Sequence, residues 1–215
     1  MIHVTNPVTF DPNHPKQHLP HFTGTLAMIW FISGLAMLFG AGLIGYIMIR
    51  MNRSDTIGIG TLHLPGMLWL STALVIVASI TIQLAVTAIQ REQQDRLRAW
   101  LVVTLLVGLA FVVVQWPSLA SLIGQHQVEL ARFDAAGGRP AGAISNPLFG
   151  LIFVYIVIHA AHVLGGIIQL LVVTRGAFLG KYDHEYYNPV KHTAMYWHFL
   201  DVVWLIMFGL MVGAG

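Results

Sequence analysis

The sequence predicts an all-α polytopic membrane protein with five transmembrane helices. Of its 215 residues, 56% are hydrophobic and only 9% are charged, whereas an ordinary soluble domain is about 25% charged. Eleven Lys and Arg and nine Asp and Glu side chains are too few to cover an apolar core of this size in water. Five apolar stretches reach about 20 residues or more, the length that crosses the hydrocarbon of a bilayer.

These five stretches account for the predicted helices in order along the chain. They are residues 24–50, 65–89, 98–123, 147–174 and 192–214. The connection at 124–146 is the longest and is rich in Gly and Ala, so we expect a flexible external loop there. No internal repeat or second domain is indicated. The chain therefore divides into a polar N-terminal tail at 1–23 and a single five-helix transmembrane domain at 24–215.

The N-terminal tail is polar and interrupted by prolines. Its first twenty residues contain four prolines and no apolar run, so we expect no cleavable signal peptide. His14, His18 and His21 follow one another at steps of four and three, which a helix would bring to one face. Pro15 and Pro20 interrupt such a helix, so a mobile polar tail is the better interpretation than a metal site.

The distribution of basic residues predicts the orientation of the chain. Cytoplasmic loops of membrane proteins carry the excess of Lys and Arg, and seven of the eleven lie on the N-terminal side of the membrane, against four on the other. We therefore expect the N-terminus inside and the C-terminus outside. The seven are Lys16, Arg91, Arg96, Arg98, Arg175, Lys181 and Lys191, and the four are Arg50, Arg53, Arg132 and Arg139.

The formal charge of +2 belongs to this topology and does not indicate a nucleic-acid partner. The chain has no cysteine, which excludes disulfides, thiolate metal sites and cysteine nucleophiles.

Polar and small residues form stripes along the predicted helices. Their spacing of three, four or seven residues places each set on one helix face, which predicts interhelical hydrogen bonds and close helix packing. We expect the small residues, Gly166 among them, to pack this chain against a larger helical partner. The stripes are Thr72, Ser79, Gln83 and Thr87; Thr104, Gly108, Phe111 and Gln115; and Tyr155, His159, His162, Gly166 and Gln169.

Four ionisable residues lie near the middle of the last two spans. The stretch "YWHFLDVVWLIMF" at 196–208 carries His198 and Asp201, and the fourth span carries His159 and His162. These spans run in opposite directions, so at 1.5 Å per residue the four side chains lie at similar depths.

Three interpretations of these four residues compete. A haem needs axial ligands on opposite sides of the iron, which His198 could provide only together with His159 or His162. A catalytic metal would need three or more ligands from the set. We favour the third interpretation, a structural polar cluster in which a histidine satisfies Asp201.

Two motifs resemble subunit III of the haem–copper oxidases, the cytochrome c oxidase family. "HAAHVLGG" at 159–166 contains the paired histidines and the glycine pair Gly165 and Gly166, and "NPVKHTAMYWHFLDVVWLIMF" at 188–208 contains the run typical of the last helix. The likeness extends from about residue 24 to the end, and five spans match the short bacterial form of the family. The matching residues of the last helix are Tyr196, Trp197, His198, Phe199, Asp201, Val203 and Trp204.

The resemblance implies an accessory subunit of a proton-translocating oxidoreductase. In this family haem and copper belong to the partner subunits, so no catalytic, cofactor-binding or metal-binding residue is expected in this chain. It implies packing on subunit I in a complex that also holds subunit II, with bound phospholipid and support of proton uptake and turnover stability. The implied location is the bacterial cytoplasmic (inner) membrane.

Other functions stay open at this stage. The chain could serve a quinol oxidase rather than a cytochrome c oxidase, or a relative associated with nitric-oxide reductase. A stand-alone membrane transporter or proton channel is the alternative from a different class, with Asp201 as the carrier.

The first span departs from the pattern of the family. Where many relatives carry a membrane-embedded glutamate, this chain has Leu35, and no Asp or Glu lies between residues 12 and 54. Asp201 is the one acidic residue within the five predicted spans. A role that relatives assign to that glutamate therefore does not carry over. We expect any proton support to come through shape, lipid or surface groups.

Overall fold

The computed structural model describes residues 21–51, 67–135, 147–183 and 187–212. Within these ranges the chain forms five helices and no strand, and each helix contains a segment long and apolar enough to cross a membrane. The prediction of an all-α, five-span membrane protein is therefore confirmed. The helices are α1 (His21–Met51), α2 (Met67–Gln90), α3 (Gln94–Ala135), α4 (Pro147–Phe178) and α5 (Asn188–Val212).

Three predictions are not tested by the structure. His14 and His18 of the tail lie outside the described residues, as does the side chain of His21. The orientation of the chain in the membrane stays a prediction, and so does the division into tail and transmembrane domain.

The prediction of a loop at 124–146 was wrong for residues 124–135, which are helical. Helix α3 runs for 42 residues to Ala135 and includes Pro117. A proline removes one backbone hydrogen bond from a helix, but the residues that follow are mostly good helix formers, in the segment "QHQVELAR" at 125–132. The glycine-rich part of the predicted loop comes after Ala135, and residues 136–146 lie outside the described ranges.

Helix α4 ends in a hydrogen-bonded turn that also receives contacts from α3. The backbone of Gly180 has φ +65°, which glycine adopts without the steric cost of a side chain. The Lys181 N–H donates to the Gly176 carbonyl (3.1 Å) and the Gly180 N–H to that of Ala177 (3.2 Å), the pattern of a Schellman cap. Arg98 Nε of α3 donates to the same Ala177 carbonyl (3.2 Å), so the start of α3 is fixed to the end of α4.

Helices α2 to α5 form the packed body of the molecule, and α1 lies at its edge. Helix α3 packs against α2 and α4, α5 packs against α2 and α4, and α1 contacts α4 and α5. Leu35 and Phe39 are buried on α1, whereas many of its other apolar side chains are exposed. The largest fully buried apolar side chains are Ile82, Ile89, Leu97, Leu101, Leu170, Leu200 and Val190.

Gly166 serves the packing inside the chain rather than packing against a partner, contrary to the prediction. A Cβ atom at Gly166 would lie 3.2 Å from Leu200 Cδ1 and 3.3 Å from Tyr196 Cε1, both on α5. Gly166 is buried, whereas its neighbour Gly165 is exposed. The small residue is needed because α4 and α5 of the same chain approach closely at this position.

We expect Gly166→Leu to destabilise the fold by about 1–3 kcal/mol, because the added atoms overpack the α4–α5 interface. Gly165→Leu is the matched control, since a Cβ atom there has one neighbour, Tyr196 Oη, at 3.8 Å. Thermal unfolding of the two variants in detergent would measure the difference. The opposite result would be equal unfolding temperatures for the two variants, with the Gly166→Leu chain failing only to stay bound in a larger complex. That result would assign Gly166 to a partner interface after all.

Candidate functional site

The ionisable pair of α5 faces α2 and hydrogen bonds to it. His198 and Asp201 lie three residues apart and so project from one side of the helix. The Ser79 Oγ lies 2.7 Å from His198 Nδ1, and His198 Nε2 lies 3.2 Å from Gln83 Oε1. Ser79 also hydrogen bonds to the carboxyl group of Asp201. Four side chains thus form one chain of hydrogen bonds, in the order Asp201, Ser79, His198, Gln83, which we call the polar chain.

The polar chain leads from the interior of the bundle to its surface. Asp201 is 6% exposed, Ser79 and His198 are partly buried, and Gln83 is exposed. One neutral arrangement satisfies each hydrogen bond: His198 donates from Nε2 to the Gln83 oxygen, Ser79 donates to His198 Nδ1, and a protonated Asp201 donates to Ser79. Neutrality suits the location, because a charged Asp at the membrane centre costs about 2.5–3.5 kcal/mol on insertion scales.

The predicted cluster of four residues is brought together only in part. Asp201 hydrogen bonds to Ser79, so a serine stands where we expected a histidine. The reason is geometric: Ser79 of α2 reaches both His198 and Asp201, because these lie on the same face of α5. No hydrogen bond joins Asp201 to a histidine among the described residues.

The two histidines of α4 both contact Phe39 of α1, but their other neighbours differ. His159 is buried and stacks on Trp204 of α5, with ring centroids 5.9 Å apart and an interplanar angle of 28°. His162 Nδ1 lies 2.8 Å from the Ile158 carbonyl of its own helix, and its ring meets Phe39 of α1 edge-on at 5.4 Å. His159 therefore lies near the polar chain, and His162 faces α1.

The geometry gives no support to the two cofactor interpretations. Within the described ranges, no group of three or more His, Cys, Asp or Glu residues is placed to hold a metal ion. His198, which the haem interpretation requires, directs both ring nitrogens at Ser79 and Gln83 of α2. The cluster of His159, His162, His198 and Asp201 stays a prediction of structural residues, now with Ser79 and Gln83 added.

Ser79 and Gln83 belong to a predicted polar stripe, but their contact with α5 was not predicted. The signal was present, since their spacing of four puts them on one face, as the spacing of three does for His198 and Asp201. What the sequence alone lacks is the information that these two faces meet.

The aromatic residues of the α5 motif each contact a particular neighbouring helix. Tyr196 Oη donates to the His162 carbonyl of α4 (3.1 Å), and Trp197 lies against Gly108 of α3, where a Cβ atom would be 3.1 Å from its ring. Phe199 meets Phe39 of α1, with ring centroids 6.0 Å apart. The motif therefore joins α5 to three helices within about one helical turn.

Trp204 adds contacts to two further places on the bundle. Its Nε1 donates to Thr72 Oγ1 of α2 (3.3 Å), and its ring meets Phe111 of α3 edge-on at 5.3 Å. The indole thus makes a hydrogen bond through its N–H, as buried tryptophans usually do, and an aromatic contact through its ring.

We expect Asp201→Leu to destabilise the chain clearly more than Asp201→Asn, by about 1–3 kcal/mol. Asparagine keeps a hydrogen-bonding group for Ser79, whereas leucine leaves the buried polar neighbours without one. Thermal unfolding of both variants against the wild type measures the difference. Equal losses would show that the carboxyl group makes no buried hydrogen bond that matters for stability.

Comparison with known proteins places these features in a family. The family model described as cytochrome c oxidase subunit III matches residues 130–212, which contain α4 and α5. A probable quinol oxidase subunit 3 of Staphylococcus haemolyticus (strain JCSC1435) is 32% identical over 151 residues, which are 68% of this chain and 65% of that protein. The chain therefore spans less than two thirds of that relative's length.

Two further relatives match over more of their length. Cytochrome c oxidase subunit 3 of Corynebacterium diphtheriae (strain ATCC 700971 / NCTC 13129 / Biotype gravis) is 29% identical over 192 residues, 86% of this chain and 84% of that protein. The subunit of the same name from Thermostichus vulcanus is 25% identical over 203 residues, 93% of this chain and 90% of that protein. The family that the α4 and α5 motifs indicate is thus confirmed: the chain belongs to the haem–copper oxidase subunit III family.

Proposed function

We propose that this chain is the non-catalytic subunit III of a respiratory haem–copper terminal oxidase in a bacterial cytoplasmic membrane. The observation that carries the proposal is the α5 motif, since its residues match the family and fix α5 against all four other helices. Relatives named as cytochrome c oxidase and as quinol oxidase subunits support a role in a terminal oxidase of either kind. In this role haem and copper belong to partner subunits.

The surface of the bundle supports an assembly with other membrane subunits. Helix α1 leaves large apolar side chains uncovered, such as Trp30 (72% exposed) and Met37 (77% exposed), which lipid or a partner helix would cover. Gln83 is different, because an exposed amide inside a membrane span lacks the water that would hydrogen bond to it. We propose that subunit I packs on the α2–α5 surface around Gln83, in a complex that also contains subunit II.

A cleft between α1, α4 and α5 supports lipid binding. It has a volume of about 40 Å³ and is lined by apolar side chains, among them Leu43, Leu151 and Met207. Tyr155 closes one side, held by a hydrogen bond from its hydroxyl to the Phe39 carbonyl (2.8 Å). Such walls suit part of a phospholipid acyl chain, and a role in turnover stability would follow from a lipid kept at this place.

The chain, when purified through an affinity tag in mild detergent, should carry a haem-bearing partner with it. The visible spectrum of the eluate, together with mass spectrometry of its proteins, provides the measurement. Membranes containing the untagged chain, passed over the same resin, are the control. A chain that elutes without haem and moves solute by itself in liposomes would instead be a transporter.

We expect a hydrophobic carbodiimide to leave residues 24–50 unmodified and to leave oxidase turnover unchanged. This reagent reacts with protonated carboxyl groups in apolar surroundings, and α1 contains none. Leu35→Glu is the matched variant, because it introduces a carboxyl group at a buried position of α1, and it should become labelled. Peptide mass spectrometry and oxygen consumption measure both effects. Loss of wild-type turnover with label confined to Asp201 would assign proton support to that carboxyl group.

A further inference from the structure

A small cavity lies where α2, α3, α4 and α5 meet. Its volume is about 10 Å³, and Asp201, His159, Trp197 and Gly108 contribute to its wall, together with apolar side chains. Asp201 also belongs to the polar chain, so the cavity adjoins the buried end of that chain.

Three of the residues that line this cavity carry buried polar atoms without hydrogen-bond partners. Asp201 Oδ2, both ring nitrogens of His159 and Trp197 Nε1 are buried and make no hydrogen bond with any described residue. The three residues are 6%, 4% and 4% exposed. Proteins pair nearly all buried polar groups, and the surrounding lipid holds no water that could reach these atoms from outside.

The cavity has the size and chemistry for one water molecule. A water needs about 10–15 Å³ of such space and two to four polar partners. A water here could accept a hydrogen bond from the Trp197 indole N–H and donate to Asp201 Oδ2. Its other hydrogen, or its second lone pair, would serve one ring nitrogen of His159, whichever tautomer that ring adopts.

We propose that this cavity is a binding site for one internal water molecule, which bridges Asp201 to His159 and Trp197. The water and His159 become two further members of the polar chain. A continuous series of hydrogen bonds then leads from His159 on α4, through the water, Asp201, Ser79 and His198, to Gln83 at the bundle surface. It joins the His159 side chain of α4 to the polar side chains of α2 and α5.

A map of the purified native complex, at a resolution that shows internal waters, tests the site directly. The expected result is an isolated peak within about 2.7–3.2 Å of Asp201 Oδ2 and of one His159 ring nitrogen. An empty cavity, in a map that shows ordered waters elsewhere between the helices, would overturn the proposal.

Gly108→Ala gives an independent test of the same site. Its Cβ atom would lie 3.1 Å from Trp197 Cη2 at the wall of the cavity, so the indole must shift there, whereas Gly40→Ala is the matched control, with no atom within 4 Å of the added carbon. The readout is the infrared carboxyl band that Asp201→Asn removes. In Gly108→Ala the frequency of this band should shift to that of a carboxyl group with one hydrogen bond fewer. In Gly40→Ala the frequency should stay unchanged. An unchanged band in a folded Gly108→Ala complex would contradict the proposed bridging water. If that variant does not fold, the map of the wild-type complex decides whether the water is present.

Discussion

The packing of α5 against the other helices is the constraint on which the rest of the structure depends. In a bilayer, apolar burial does not by itself favour one helix over lipid as a neighbour, so shape and hydrogen bonds must select the contacts. Helix α5 supplies both in its middle turns: Tyr196 reaches α4, Trp197 reaches α3 and Trp204 reaches α2. Helix α5 contains so many of the family's motif residues because it contacts all four other helices.

Two glycines make that packing specific. Gly108 on α3 receives the ring of Trp197, and Gly166 on α4 receives the ring of Tyr196. Because these two aromatic residues are adjacent in sequence, they leave α5 in directions about 100° apart. A rotation of α5 about its axis would remove both rings from their places at once. The geometry of the polar chain between α5 and α2 therefore depends on how these two rings pack against α3 and α4.

Hydropathy predicted the five helices well, but it predicted little about which helices contact one another. The number and approximate position of the five helices follow from local apolar length, but the end of α3 at Ala135 depends on helix propensity beyond the membrane, which hydropathy does not report. The partners of Asp201 were not predicted, because Ser79 is 122 positions away along the chain and only the packed bundle shows which face of α2 meets α5. The role of Gly166 was misassigned for the same reason: its spacing indicates close packing but not the identity of the neighbour.

The edge position of α1 has a consequence for biosynthesis. Of the five helices, α1 is translated before the others, yet its neighbours in the bundle are α4 and α5, which follow α2 and α3 in the sequence. Between the ends of α1 at Met51 and the start of α4 at Pro147, translation at about 5–20 residues per second takes on the order of 5–20 s. During this interval the faces of Leu35 and Phe39 meet only lipid or the insertion machinery. Helix α1 can complete its contacts with the bundle only after both α4 and α5 have been synthesised.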